Sequence, residues 1–263
     1  MFDFLSYGAD KMQAFLLVNF RISGLLLTAP IFSRKSIPVL IKIGFGILLA
    51  ILLLPMVMKN PLPLAPSLID LSFIGVKEIL IGVTLGLILK LLFYAAQMAG
   101  SFVGFQSGLS VANVIDPSTQ AEVNLLGAFW FLVASIVFLA IDGHHIVISG
   151  LADSYLVIPL GKAAFGASAA DLLMRLSGAV FTMALKLAAP ILLTVFLVDV
   201  ALGVLARTIP QMNIFVIGIP VKIAVAIAMM VVSLPVFAWA LGQMTNFLDT
   251  QMHTLIGVAA SGS

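Results

Sequence analysis

Gln106 to Glu122 reads QSGLSVANVIDPSTQAE, the longest modestly polar interruption in a chain otherwise built of apolar runs. Gln106, Asn113, Asp116, Gln120 and Glu122 surround an Asp116-Pro117 step, and Gly100, Gly104 and Gly108 lead into it. Its flanks are apolar enough to lie in lipid or against other helices, where backbone groups outside a helix find no water to bond. The segment therefore has to face water, a pore or a partner, and two hydrophobic halves meet at it.

Composition agrees with that setting. The 263 residues are 62% hydrophobic and 9% charged, with a mean hydropathy of +1.22, against about 25% charged residues in an ordinary soluble domain. The class expected is an all-α integral membrane protein. A net charge of +2 gives no footprint for nucleic acid. Having no cysteine, the chain makes no disulfide and has no thiolate ligand or nucleophile. The N-terminus lacks a basic region and a small-residue cleavage site, so the first apolar run is expected to stay in the mature protein.

Upstream of the polar segment a helix is expected over Ser72 to Phe105. Ala96, Gly100, Gly104 and Gly108 recur every four residues, which puts them on one side and permits close backbone packing. Lys77, Glu78 and Lys90 are in this helix, where a charge is turned inward or paired; for Lys77 and Glu78 the alternative is the external interface. Prolines at 61, 63 and 66 predict a stiff external loop before it. Two earlier runs, Met12 to Phe32 with Arg21 inside it and Pro30 near its end, and Ile43 to Met58, approach the length of a crossing of about 20 residues. Arg34, Lys35 and Lys42 between them mark a cytoplasmic connection and place the N-terminus outside.

Downstream, Val123 to Ile141 is an uncharged run of nineteen residues around Trp130, the cleanest single span. Asp142, His144 and His145 end it; helical neighbours point about 100 degrees apart, so an interfacial cap is expected there and not a metal site. Ile146 to Asp171 predicts a short helix with an amphipathic or re-entrant piece. A helix to Val198 follows, opened by an Asp171–Arg175 pair and closed by Asp199. Arg207 to Lys222, RTIPQMNIFVIGIPVK, is a second cytoplasmic connection by its charges. Ile223 to Leu248 is the sixth run, interrupted by Pro235 and followed by a short mobile tail.

No catalytic chemistry stands out. GxSxG, HExxH and a phosphate-binding glycine loop are all absent, and the carboxylates occur singly, which argues against an enzyme. A small-solute transporter is the competing class, with Arg21, Lys90 and Lys186 as coupling groups. Against it, no acid is expected opposite those bases, and spans of matching length do not recur in the two halves. A membrane scaffold is the third class.

Arg207, Pro210, Gln211, Asn213 and Phe215, followed by Gly218, Pro220 and Lys222, resemble the signature of the FliR family of the type III export gate. Asn19-Phe20-Arg21, Pro30-Ile31-Phe32 and Gly104-Phe105-Gln106-x-Gly108 before Asp116-Pro117 resemble it too. The resemblance covers about the whole chain and extends to virulence-secretion relatives. It implies helical hairpins within a helical hetero-oligomeric gate in the bacterial inner membrane, at the flagellar basal body, with FliP, FliQ, FlhB and FlhA as partners and no cofactor.

By the same resemblance one copy completes the ring through which unfolded flagellar subunits pass, and the equivalent injectisome subunit is the alternative. It implies a FliP-like portion, 1–170, a FliQ-like portion, 171–263, and a plug loop, 106–122, with Gln106, Gly108, Asn113, Asp116, Pro117 and Gln120 as its gating residues. A sparsely charged constriction suits such cargo, since strong charge would select chains by sign.

Overall fold

The computed structural model describes residues 2–33, 37–59, 63–109, 125–163, 166–209 and 213–261. Within them the chain forms eight helices and no strand: α1 Phe2–Thr28, α2 Pro30–Ser33, α3 Val39–Val57, α4 Leu68–Ser107, α5 Leu125–Ala140, α6 Gly143–Val157, α7 Ala167–Thr208 and α8 Ile214–Ser261. Pro30 stands at the first position of α2, where its missing N–H costs nothing.

Four of these helices, α3, α4, α7 and α8, are long and apolar enough to cross a membrane, and α5 with α6 makes a fifth if the pair counts as one broken span. The chain is a multi-pass, all-helical membrane protein. Six separate spans are not found among the described residues. The run from Met12 is helical, but Lys11, Gln13, Asn19 and Arg21 dilute α1, which is not among the helices that qualify. Of the run around Trp130, Leu125–Ala140 is helix as α5, which ends just before Asp142, a left-handed residue with φ 58°; residues 123 and 124 lie outside the described residues.

Other boundaries move outward. With 40, 42 and 48 residues, α4, α7 and α8 are about 60, 63 and 72 Å long at about 1.5 Å per residue. That is about twice a hydrocarbon core of about 30 Å. Asp199 lies inside α7 and does not end it. Pro220 and Pro235 lie inside α8 and do not end it either, as membrane helices accommodate the freed carbonyls locally. The expected mobile tail is also helix as far as Ser261, with Met252, Leu255, Ile256 and Ala259 buried.

The chain separates into two compact units. Unit 1 comprises Met1–Leu91, Asp142–Ser177 and Asn246–Ser263. Its core joins Leu17, Val18 and Ile22 of α1, Ile81, Leu85 and Ile88 of α4, and Leu151 of α6. Glycines bring α1 against α4: a Cβ on Gly24 would strike the Ile79 carbonyl, and one on Gly82 the Arg21 carbonyl. At α6, a Cβ on Gly150 would come within 2.6 Å of the Met252 methyl.

Unit 2 comprises Leu92–Ile141 and Gly178–Thr245. Trp130 of α5 lies 4.0 Å from Phe237 of α8 between ring centroids, and Phe93 of α4 meets Phe131 and Phe138. Phe196, Leu197, Val200 and Val204 on α7, with Val231, Val232, Val236 and Trp239 on α8, remain exposed. Faces of this kind belong against lipid or another protein.

Candidate functional site

The described start of the polar segment lies in unit 2. Ala96, Gly100 and Gly104 are buried along α4, and Gly100 sits against the Leu126 carbonyl and Gly127 Cα so closely that any side chain would collide. Gly108 is not a fourth rung of that ladder. It stands just past Ser107, the last residue of α4, with φ +85° and its N–H bonded to the Phe105 carbonyl at 3.1 Å. This is the left-handed helix end that glycine alone adopts without penalty. A Cβ there would lie 3.6 Å from Ile219 of α8.

Two residues earlier, Gln106 Nε2 donates to Asp199 Oδ2 of α7 at 3.0 Å. Lys222 Nζ of α8 reaches the other oxygen, Asp199 Oδ1, at 2.9 Å. One carboxylate thus ties together the ends of two motifs that are separate in sequence. Lys222 is largely buried and Asp199 partly so, which reduces solvent screening and makes the pair stronger than a surface bridge. The sequence signal available for Asp199 was an isolated acid within an apolar helix.

The rest of the second motif is spread along α7 and α8. Arg207 is in the last turn of α7, exposed, where a cation complements the helix dipole. The Asn213 carbonyl accepts the Val216 N–H at 3.1 Å as α8 begins. Phe215, Gly218 and Pro220 are within α8, Gly218 buried and Pro220 exposed. Asn113, Asp116, Pro117, Gln120, Pro210 and Gln211 lie outside the described residues.

Unit 1 holds a second polar cluster, in which Arg21 has the acid that the sequence did not reveal. Arg21 Nε donates to Glu78 Oε2 at 2.6 Å, with both side chains completely buried. Its Nη1 donates to the Ser154 carbonyl at 2.8 Å and to Ser154 Oγ at 3.0 Å, and its Nη2 to the Ile158 carbonyl at 3.1 Å. The Gly161 N–H donates to Glu78 Oε1 at 2.8 Å, and the Tyr155 ring lies 4.2 Å from the guanidinium carbon. Glu78 is therefore buried and paired, whereas Lys77 beside it is exposed. Such saturation joins α1, α4 and α6 and leaves Arg21 little freedom to couple a solute.

Asp142, His144 and His145 come nearer one another than neighbouring helical positions imply. One ligand atom from each lies within 4.8 Å of the others, and the imidazole centroids are 4.2 Å apart. Three such groups could hold a divalent ion, although Asp142 and His145 are about seven-tenths exposed and only 3.5 Å apart. That is also the ordinary arrangement of a solvated helix start.

Comparison with known proteins decides between the classes left open. Residues 12–248 match the family described as bacterial export proteins, family 1. The chain is 38% identical over 253 residues to the flagellar biosynthetic protein FliR of Bacillus subtilis (strain 168), covering 95% of this chain and 96% of that one. The chain belongs to the FliR family. Further FliR proteins are those of Pectobacterium carotovorum subsp. carotovorum, 36% identical over 215 residues and 82% of each chain, and of Escherichia coli (strain K12), 33% identical over 218 residues and 83% of each. The FliR family is one of export proteins, so this member is not an enzyme.

Proposed function

We propose that this FliR-family chain is a subunit of the flagellar type III export gate, forming with FliP and FliQ a pore in the bacterial inner membrane for unfolded flagellar subunits. FlhB and FlhA stand beside it at the basal body, and one copy of the chain completes the assembly. The observation that carries the proposal is the 38% identity to a flagellar FliR over nearly the full length of both chains. Helices about twice as long as a hydrocarbon core is thick, with apolar faces left bare on α7 and α8, support a role among partner helices. The division into a FliP-like portion, 1–170, and a FliQ-like portion, 171–263, belongs to the same proposal.

In this proposal segment 106–122 closes the conduit and is rooted where Gln106 meets Asp199 and Gly108 meets Ile219. The Arg207 to Lys222 motif positions the neighbouring helices at the cytoplasmic rim. Mass spectrometry of a tagged copy, purified from native membranes in mild detergent, tests the assembly. FliP-like and FliQ-like proteins in excess over this chain are expected; recovery with injectisome subunits instead would move the assignment to that branch, and recovery alone would overturn it. Deleting residues 110–120 in the assembled complex tests the gate. Ion leakage is expected, and an unchanged barrier with unchanged secretion would remove the gating role.

A further inference from the structure

Between α1 and α3, within unit 1, a half-open cleft of about 340 Å³ runs along the helices. Leu27, Val39, Ile43 and Ile47 form its apolar wall, and all four are more than two-fifths exposed. Asn19, Ser23 and Lys42 supply its polar groups: an amide, a hydroxyl and one cation, with no carboxylate in the lining. Gly46 also lines the cleft, and a Cβ there would make only ordinary contacts with Leu26 and Ile22. The site is independent of the Gln106–Asp199 cluster, and the export assignment does not require it.

We propose that this cleft binds an anionic phospholipid, the acyl chain along Leu27, Ile43 and Ile47 and the phosphate at Lys42. Three observations select that occupant. First, α3 is the barest of the helices long enough to cross, with 17% of its most apolar window buried, so it leaves the largest share of apolar surface for an acyl chain to cover. Second, the charge is of one sign: no acidic residue occurs between Asp10 and Asp70, while Arg34, Lys35 and Lys42 fall within nine residues. Basic residues at the cytoplasmic ends of membrane helices attract anionic headgroups. Third, the lining matches an amphiphile and not a wholly apolar helix: a hydroxyl and an amide flank the cation beside an aliphatic wall. A lysine one turn into α3 also reaches the interface by extending its stem along that wall.

The test uses the full chain purified in mild detergent, stripped of lipid and offered phosphatidylglycerol and phosphatidylcholine with identical acyl chains. Native mass spectrometry is expected to show phosphatidylglycerol retained about fivefold over phosphatidylcholine, the scale of one basic residue at a membrane surface. Lys42→Gln should erase that preference and Lys42→Arg should keep it. Ser23→Phe, at an exposed position, should lower retention of both lipids by filling the cleft. A photoactivatable acyl chain on phosphatidylglycerol should label the peptides from Ser23 to Ile47. Equal retention of the two lipids, or a preference unchanged in Lys42→Gln, would overturn the proposal. So would a photo-crosslinker at Ile43 that captures only protein in native membranes, which would make the cleft a subunit interface.

Discussion

Arg21 and Glu78 are 57 residues apart in sequence and 2.6 Å apart in the fold, with neither side chain reaching solvent. A buried charge with one partner removed is left with its full desolvation cost, about 3–5 kcal/mol, while replacing both partners by apolar groups is far milder. Glu78→Gln and Arg21→Met are therefore each expected to lower the thermal midpoint of the purified protein sharply. The double variant Arg21→Met with Glu78→Leu should recover much of the loss. A double variant no better than the worse single one would show that the hydrogen bonds to Ser154 and Ile158, not the charge balance, hold this cluster together.

Close packing of α1 on α4 makes a sharp prediction for glycines. Gly82→Ala would press a methyl into the Arg21 carbonyl, backbone against which nothing can shift cheaply. Loss of folded protein from membranes is expected, measured by detergent-resistant yield. Gly44→Ala, where a Cβ meets nothing within 4 Å, should instead be neutral or stabilise by about 0.5–1 kcal/mol through its helix preference.

Asp199 accepts from both Gln106 and Lys222. Gln106→Ala removes one hydrogen bond to a charged group, worth about 1.5–3 kcal/mol, and leaves the ion pair. Asp199→Ala leaves Lys222 largely buried without its partner. In an assembled complex Gln106→Ala is expected to raise ion leakage while assembly stays normal, whereas Asp199→Ala should reduce assembly as well. Equal, wild-type leakage in both variants would separate this cluster from gating.

The last turns of α8 offer a further check. Met252, Leu255 and Ile256 are almost fully buried, each worth about 1.5–3 kcal/mol on burial. Truncation after Leu248 should destabilise unit 1 and lower the yield of folded chain. A mobile tail would be dispensable, so unchanged stability of the truncated chain would contradict the packing of Met252 beside Gly150.

What was legible in the sequence was what local composition dictates. Apolar runs separated by prolines and basic clusters identify a helical membrane protein, and the motifs around Gln106 and Arg207 resemble the family to which the chain belongs. Sequence alone also marked Arg21 as a charge needing an explanation. It could not name Glu78, Asp199 or Ser154 as partners, because a pairing across 57, 93 or 133 residues depends on which helix faces turn together. Nor could it locate the helix ends, since proline at 220 and 235 is a breaker in water but is accommodated within a membrane helix. Only tertiary packing decided those, by burying the charges where they had to be paired and by holding Met252 and Ile256 in a core that keeps α8 helical to its end.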